Sequence, residues 1–181
     1  MKSFLREVLI TVALALVIFF GARATLQTFV VIMSSMEPSF YQGQRLVVNK
    51  ALYLFSPPER GDVIIFESPT GRHEDFIKRV IGLPGDKVEI IKGVVYIDDV
   101  ALDEPYIKRS ASYTMAAEEV PPDRYFVLGD NRDNSNDSHN GWFAEGDKII
   151  GKAWLSTWPP DAWGLVPDYH LGEQLASAES E

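Results

Sequence analysis

Residues 8–22, VLITVALALVIFFGA, form an unbroken stretch of fifteen uncharged residues. Such a stretch must be buried in protein or placed in lipid. Within hydrocarbon, a single segment satisfies all its backbone N–H and C=O groups only as a helix. Spanning a bilayer takes roughly 17–25 residues. Arg23 need not end the helix, because its stem can lie in hydrocarbon while the guanidinium snorkels to the interface. A helix from about Phe4 to about Leu26 is then long enough, and residues 7–27 are expected as a transmembrane anchor. Two other readings fit the same stretch. Lys2 and Arg6 ahead of it, with Ala22 and Ala24 behind, match a removable leader, and a buried core helix has the same composition. Two basic residues on the N-terminal side against Arg23 on the other place residues 1–6 in the cytoplasm and the rest of the chain outside.

After the anchor the pattern changes to short strands and turns. RLVVNK (45–50), DVIIFES (62–68), FIKRVIG (76–82), RYFVLGD (124–130) and KIIGKAWLSTW (148–158) read as strands. KVEIIKGVVYIDD (87–99) reads as a hairpin broken at Gly93. SPPERGD (56–62) and Leu-Pro-Gly-Asp (83–86) are turns. No long segment past the anchor shows helical periodicity. The expected fold is mainly β, with antiparallel sheets over 28–167 after one N-terminal transmembrane helix, and a mobile tail over 168–181.

Charge and composition remove several functions. The 181 residues carry 26 acidic and 17 basic side chains, a formal net charge of −9. A nucleic-acid binder needs a basic face to displace counterions, so that class is excluded. Cysteine is absent, and with it disulfides, thiolate catalysis and cysteine zinc sites. The loop GDNRDNSNDSHNG (129–141) is rich in Asp and Asn but fails the calcium-loop spacing. Counted from Asp133, position six is Ser138 rather than glycine and position twelve is Ala144 rather than glutamate. Asx-type bonds to its own backbone account for the same composition. His73, His139 and His170 show no paired metal spacing, and there is no G-x-S-x-G elbow. GWFAEGDK (141–148) puts Asp147 before its lysine and is no phosphate loop.

Serine and lysine remain. A serine hydroxyl attacks only when a base takes its proton. Lysine can be that base only when burial lowers its pKa from about 10.4 toward neutrality. Lys78 lies among Phe76, Ile77, Val80 and Ile81. Strand alternation sets it on the side of Phe76 and Val80, with Arg79 on the side of Ile77 and Ile81. The competing reading makes Lys78 and Arg79 edge-strand charges that discourage aggregation. Ser34 and Ser35, in VIMSSMEPSF (31–40), are the serines next to the membrane segment. Trp154, Trp158 and Trp163 suit either the lipid interface or a core.

Taken together, these segments resemble the type I signal peptidases of bacteria, membrane-anchored Ser-Lys proteases. S-S-M-E-P-S-F resembles that family's S-x-S-M-x-P-T-[LM] region, and RGDVIIF (60–66) its R-G-D-[IV]-V-V-F strand. IKRVIGLPGD (77–86) resembles its K-R-[VI]-[IV]-G-L-P-G-D segment, and 129–141 its G-D-N-R-D-N-S-x-D-S-R-x-x-G loop. GKAWLSTWP (151–159) resembles its closing strand. The resemblance implies Ser35 as nucleophile, Lys78 as general base, Ser135 as the serine that orients the lysine, and Asp130 and Asp137 as supporting carboxylates. It places Met36 in the wall of the substrate pocket. It implies no cofactor and no metal. The partners it implies are membrane lipid and the signal peptides of secretory preproteins, cut after small residues (A-x-A-like sites) at the outer face of the cytoplasmic membrane.

Two positions depart from the family pattern. Met33 stands where many relatives have a serine whose hydroxyl helps the oxyanion hole, which leaves the Ser35 N–H as the main donor. His139 stands where arginine is common, so the brace it forms is expected to be weaker or pH-sensitive. The rival to catalysis is a membrane-tethered β-domain that binds a partner or calcium through the 129–141 loop. A self-cleaving repressor-type protease shares the chemistry but has no apolar anchor.

Overall fold

The computed structural model describes residues 2–69, 71 and 74–178; His73 lies outside the described residues. The first element, α1 (Lys2–Thr25), runs 24 residues, about 36 Å at the helical rise. Phe4–Thr25 has a mean hydropathy of 2.2, and its apolar stretch is not buried against the rest of the described chain. It is long and apolar enough to cross a bilayer. The helix stops at Thr25, short of the expected boundary. Leu26–Val30 instead forms strand β1, which pairs antiparallel with β2 (Arg45–Asn49). Thr28, Phe29 and Val30 favour strand over helix, and the partner strand settles the choice.

The remaining strands are β3 (Val63–Glu67), β4 (Asp75–Gly82), β5 (Lys87–Ile91), β6 (Val94–Ile97), β7 (Val100–Ala101), β8 (Met115–Glu119), β9 (Arg124–Leu128), β10 (Ala144–Glu145), β11 (Ile149–Trp158) and β12 (Gly164–Leu165). Among the described residues they make two sheets. The larger has the order β1-β2-β11-β3-β4-β9-β10, with β12 paired to β11; the smaller is β7-β6-β5-β8. Every pairing is antiparallel. The β5–β6 hairpin turns at Gly93, whose φ of +83° is easy only for glycine.

Three apolar clusters hold these layers. Ile81, Phe126 and Leu128 of the large sheet meet Val88, Ile90, Val95 and Ile97 of the small one. Val31, Met36, Phe40, Leu46, Val48, Val63, Ile65 and Ala153 pack beneath the segment that follows β1. Ile64, Phe66, Phe76, Val80, Tyr125, Val127 and Ala144 form the third.

Two sequence expectations change. Strand β4 is interior, paired on one side with β3 and on the other with β9. Lys78 and Arg79 are each 1% exposed, so neither is an edge-strand charge. The segment expected as a mobile tail carries α2 (Leu171–Ala178). Leu171 is fully buried in the first cluster, with Leu175 one turn on packed against it. Gln174 holds Asp103 through a pair of hydrogen bonds, to its N–H at 3.0 Å and from its own amide to the carbonyl at 3.1 Å. An eight-residue helix with two leucines on one face is too short to stand out by periodicity, but it packs once the sheet offers a surface. Trp154, Trp158 and Trp163 are all exposed, which removes their core-packing reading.

Candidate active site

Ser35 sits in the turn that follows β1. Met36 and Phe40 beneath it are buried, and the Phe40 N–H donates to the Met36 carbonyl at 2.8 Å. The turn is therefore seated on the core rather than loose. Lys78 comes from the middle of β4, opposite Ile64 of β3. The fold brings residues 43 positions apart to a distance of 2.8 Å between Lys78 Nζ and Ser35 Oγ. Nζ also donates to the Ile77 carbonyl at 2.9 Å and lies 5.3 Å from the centre of the Phe76 ring. Burial lowers the Lys78 amine from 10.5 to about 8, and the negative charges of Asp137 and Asp130 partly oppose that fall. At that value about one lysine in ten is neutral at pH 7, a useful supply of base.

The 129–141 loop braces both halves of the pair. The Asn131 N–H donates to the Ser35 carbonyl at 3.0 Å, and its side-chain amide donates to the Ser34 carbonyl at 3.0 Å. Asn134 donates to Ser34 Oγ at 2.9 Å. On the lysine side, Asp130 accepts two bonds from Arg79, at 3.0 and 2.7 Å, and this ion pair is almost wholly buried. Arg79 also donates to the Gly61 carbonyl at 3.0 Å and lies over the Tyr106 ring at 4.1 Å. Asp137 is fully buried. One of its oxygens accepts from the Gly129 N–H at 2.9 Å, and the other lies 2.5 Å from His139 Nδ1. The His139 ring stacks on Tyr113 with centroids 4.2 Å apart. Asp133 accepts from the Ser112 N–H and hydroxyl, both at 2.8 Å. The three aspartates of the loop are thus engaged by protein donors, the pattern of a structural brace.

Gly129 is where these parts meet. A methyl group on it would overlap the Ser135 hydroxyl and the Ser35 carbonyl, so the loop reaches the serine turn only because the side chain is absent. Ser135 Oγ is buried there with no hydrogen-bond partner among the described residues. It lies beside the pair, and no hydrogen bond joins it to Lys78. Met36 is fully buried below the turn, under the site and not on an open wall. Sequence reasoning placed Ser35, Lys78, Asp130 and Asp137 in one neighbourhood. It missed Asn131 and the partnership of Arg79 with Asp130. The one available signal for the latter was a second cation in the same apolar strand, which requires a buried anion once that strand is interior.

A groove of about 500 Å³ lies between the segments that precede Ser35 and Lys78 in the chain, and neither member of the pair lines it. Thr28–Met33 form one side, Glu74–Ile77 the other, and Leu46 and Ile65 also line it. It ends two residues before Ser35 on one side and one residue before Lys78 on the other. Met36 is not among its lining residues. A larger cavity, about 650 Å³, lies between residues 39–44 and 156–167 and contains neither member of the pair. The Ser35 N–H donates to no other backbone group among the described residues.

This arrangement can activate a hydroxyl for attack on an acyl carbon beside an apolar channel. Comparison with known proteins points the same way. A family model described as "Signal peptidase, peptidase S26" matches residues 3–158. The chain is 43% identical over 141 residues to a probable signal peptidase I-2 of Synechocystis sp., covering 75% of this chain and 64% of that relative's length. It is 41% identical over 169 residues to a signal peptidase I of Leptolyngbya laminosa, covering 88% of this chain and 83% of the relative. With the signal peptidase IB of Staphylococcus aureus it shares 32% identity over 178 residues, covering 88% and 92%. A match over most of the chain, together with relatives above 30% identity along most of their own length, places this chain in the signal peptidase family, peptidase S26.

Proposed function

We propose that the chain is a membrane-anchored serine endopeptidase that removes N-terminal signal peptides from exported proteins, with Ser35 as nucleophile and Lys78 as general base. The observation that carries this reading is the 2.8 Å approach of Lys78 Nζ to Ser35 Oγ in a buried site that lowers the amine to about 8. An extended leader lies in the groove between residues 28–33 and 74–77, the mode in which a peptide aligns with exposed strand segments. Val31, Ile32, Ile65, Phe76 and Ile77 give this groove an apolar lining, which suits the apolar residues of a leader cut after small side chains.

Neutral Lys78 takes the hydroxyl proton as Ser35 Oγ attacks the scissile carbonyl carbon. The oxyanion is met by the Ser35 N–H. Met33 brings no hydroxyl to this position, so a second side-chain donor is missing; loss of one such donor typically lowers the rate about 10²–10³-fold. The tetrahedral intermediate collapses, and the Lys78 ammonium gives its proton to the departing amine of the mature chain. The neutral lysine then takes a proton from water as it attacks the Ser35 ester, and the lysine returns that proton to Ser35 Oγ as the ester bond breaks and the leader is freed. The anchor raises the local concentration of a membrane-bound substrate. The loop carboxylates serve as braces in this reading, each with a protein donor.

The test uses purified protein and a peptide with an A-x-A site. Ser35→Ala and Lys78→Ala each abolish cleavage, Lys78→Arg also fails because arginine keeps its proton, and Ser34→Ala retains most activity. Cleavage by Lys78→Ala would sink the Ser-Lys reading.

A further inference from the structure

Residues 168–178 have no part in the chemistry proposed above, yet they pack against the ion pair that braces it. Tyr169 stands just ahead of α2, half-buried against the first cluster. The backbone on either side of it is tied down. The His170 N–H donates to Asp168 Oδ1 at 2.9 Å, and the Glu173 N–H donates to the His170 carbonyl at 3.0 Å. Leu171, fully buried, seats the helix that follows.

This segment reaches Arg79 at two points. The Tyr169 ring centre lies 5.3 Å from the guanidinium carbon. It also meets the Tyr106 ring, with centroids 5.1 Å apart and planes tilted by 47°, and Tyr106 lies 4.1 Å from the same guanidinium. Leu171 packs over Gly61, where an added methyl group would stand 3.5 Å from it, and the Gly61 carbonyl accepts from Arg79. A guanidinium stacks on aromatic rings through its faces and forms hydrogen bonds through its edge. Arg79 does both: its edge holds Asp130 and Gly61, and two rings lie against it.

What Arg79 holds bears directly on the reacting pair. Asp130 accepts two of its hydrogen bonds. The next residue, Asn131, gives its N–H to the Ser35 carbonyl at 3.0 Å. A guanidinium free to tilt would carry Asp130 with it and draw the Asn131 N–H away from the serine turn.

We propose that Tyr169 is a positioning residue of the reaction: its ring, with that of Tyr106, clamps Arg79 so that Asp130 and Asn131 keep the serine turn at the distance Lys78 requires. The inference rests on the Ser-Lys reading of the site. Tyr169 does not line the groove between residues 28–33 and 74–77, so its loss falls on turnover and not on leader binding.

The test measures kcat and KM of the full chain in detergent micelles, with a peptide carrying an A-x-A site, well below the unfolding midpoint of every variant. Tyr169→Leu removes the ring, and Tyr169→Phe keeps it. Val95→Ala, in the same cluster but on β6, lowers stability without touching Arg79. Tyr169→Leu is expected to lower kcat about tenfold with KM within about twofold, less than the loss typical of a reacting group moved by about 1 Å. Tyr169→Phe should keep kcat within about twofold, and Val95→Ala should lower the unfolding midpoint and leave kcat unchanged. Unchanged kcat in Tyr169→Leu overturns the clamp, as does a rise in KM with kcat kept. Equal losses in Tyr169→Phe and Tyr169→Leu would put the effect on the hydroxyl and also overturn it. A kcat that falls with stability in Val95→Ala reduces Tyr169 to packing and overturns it too. If the wild-type chain cleaves nothing, the Ser-Lys reading and the clamp fall together.

Discussion

Lys78→Met should abolish cleavage and, at neutral pH, make the protein more stable. Methionine keeps the length and apolar stem of lysine without its charge. A fall of the amine from 10.5 to about 8 on folding corresponds to a penalty of roughly 3 kcal/mol for holding the charged form in the core. An unfolded lysine keeps its proton up to about 10.5, whereas the folded one releases it near 8. Between those values the unfolded chain binds more protons, so the penalty is fully present below about 8 and fades as pH rises toward 10.5. Lys78→Met also loses the hydrogen bonds to Ser35 and the Ile77 carbonyl, about 1 kcal/mol each. The net gain at pH 7 is then about 1 kcal/mol, a rise in Tm of about 2–4 °C for a chain of this size. At pH 10 most of the penalty has gone, and relative stability swings by about 2.5 kcal/mol toward wild type, so the variant becomes the less stable protein. The assay is tryptophan-detected unfolding of both proteins in detergent micelles at pH 7 and pH 10. A stability difference that does not move with pH would refute the claim that the core lowers the lysine, and with it the source of the base.

The remaining predictions concern the pair and its brace. With Lys78 at about 8, kcat/KM for a leader peptide should rise about tenfold from pH 7 to pH 9 as the neutral amine goes from about one tenth to nine tenths; a flat profile over that range counts against Lys78 as base. Asp130→Ala strands the buried Arg79 guanidinium and should destabilise the domain by about 3–5 kcal/mol, read from the urea midpoint. Gly129→Ala forces a methyl group against the Ser135 hydroxyl and the Ser35 carbonyl. It should lower kcat/KM about 10²-fold, the usual effect of misplacing a reacting group by about 1 Å; unchanged kinetics would show that the loop does not position the serine turn.

The strands were legible where alternation and turn residues agreed. The β5–β6 hairpin and the cores of β2, β3, β4, β9 and β11 fall where the pattern put them. Strand β8 was invisible because MAAEE is built from good helix formers, and only pairing with β5 makes it a strand. The status of Lys78 was undecidable along the chain. Edge or interior depends on β9, which begins more than forty residues after β4 and supplies the second partner. Loop 129–141 announced itself by composition, yet its use of backbone donors such as the Asn131 N–H leaves no mark on residue identity. Leu171 shows the same limit, since its burial depends on the sheet residues it packs against.

The 129–141 loop touches Ser35 through Asn131 and the lysine strand through Asp130 and Arg79, while the groove proposed to receive the leader is lined by residues 28–33, 46, 65 and 74–77. Reach and selectivity are thus assigned to separate stretches of chain. One acts as a gauge that sets the spacing of the reacting atoms; the other is a template free to vary. Substitutions in the groove walls can re-tune which leaders are accepted without disturbing the gauge, so such an enzyme can follow a changing set of exported proteins while its chemistry stays fixed.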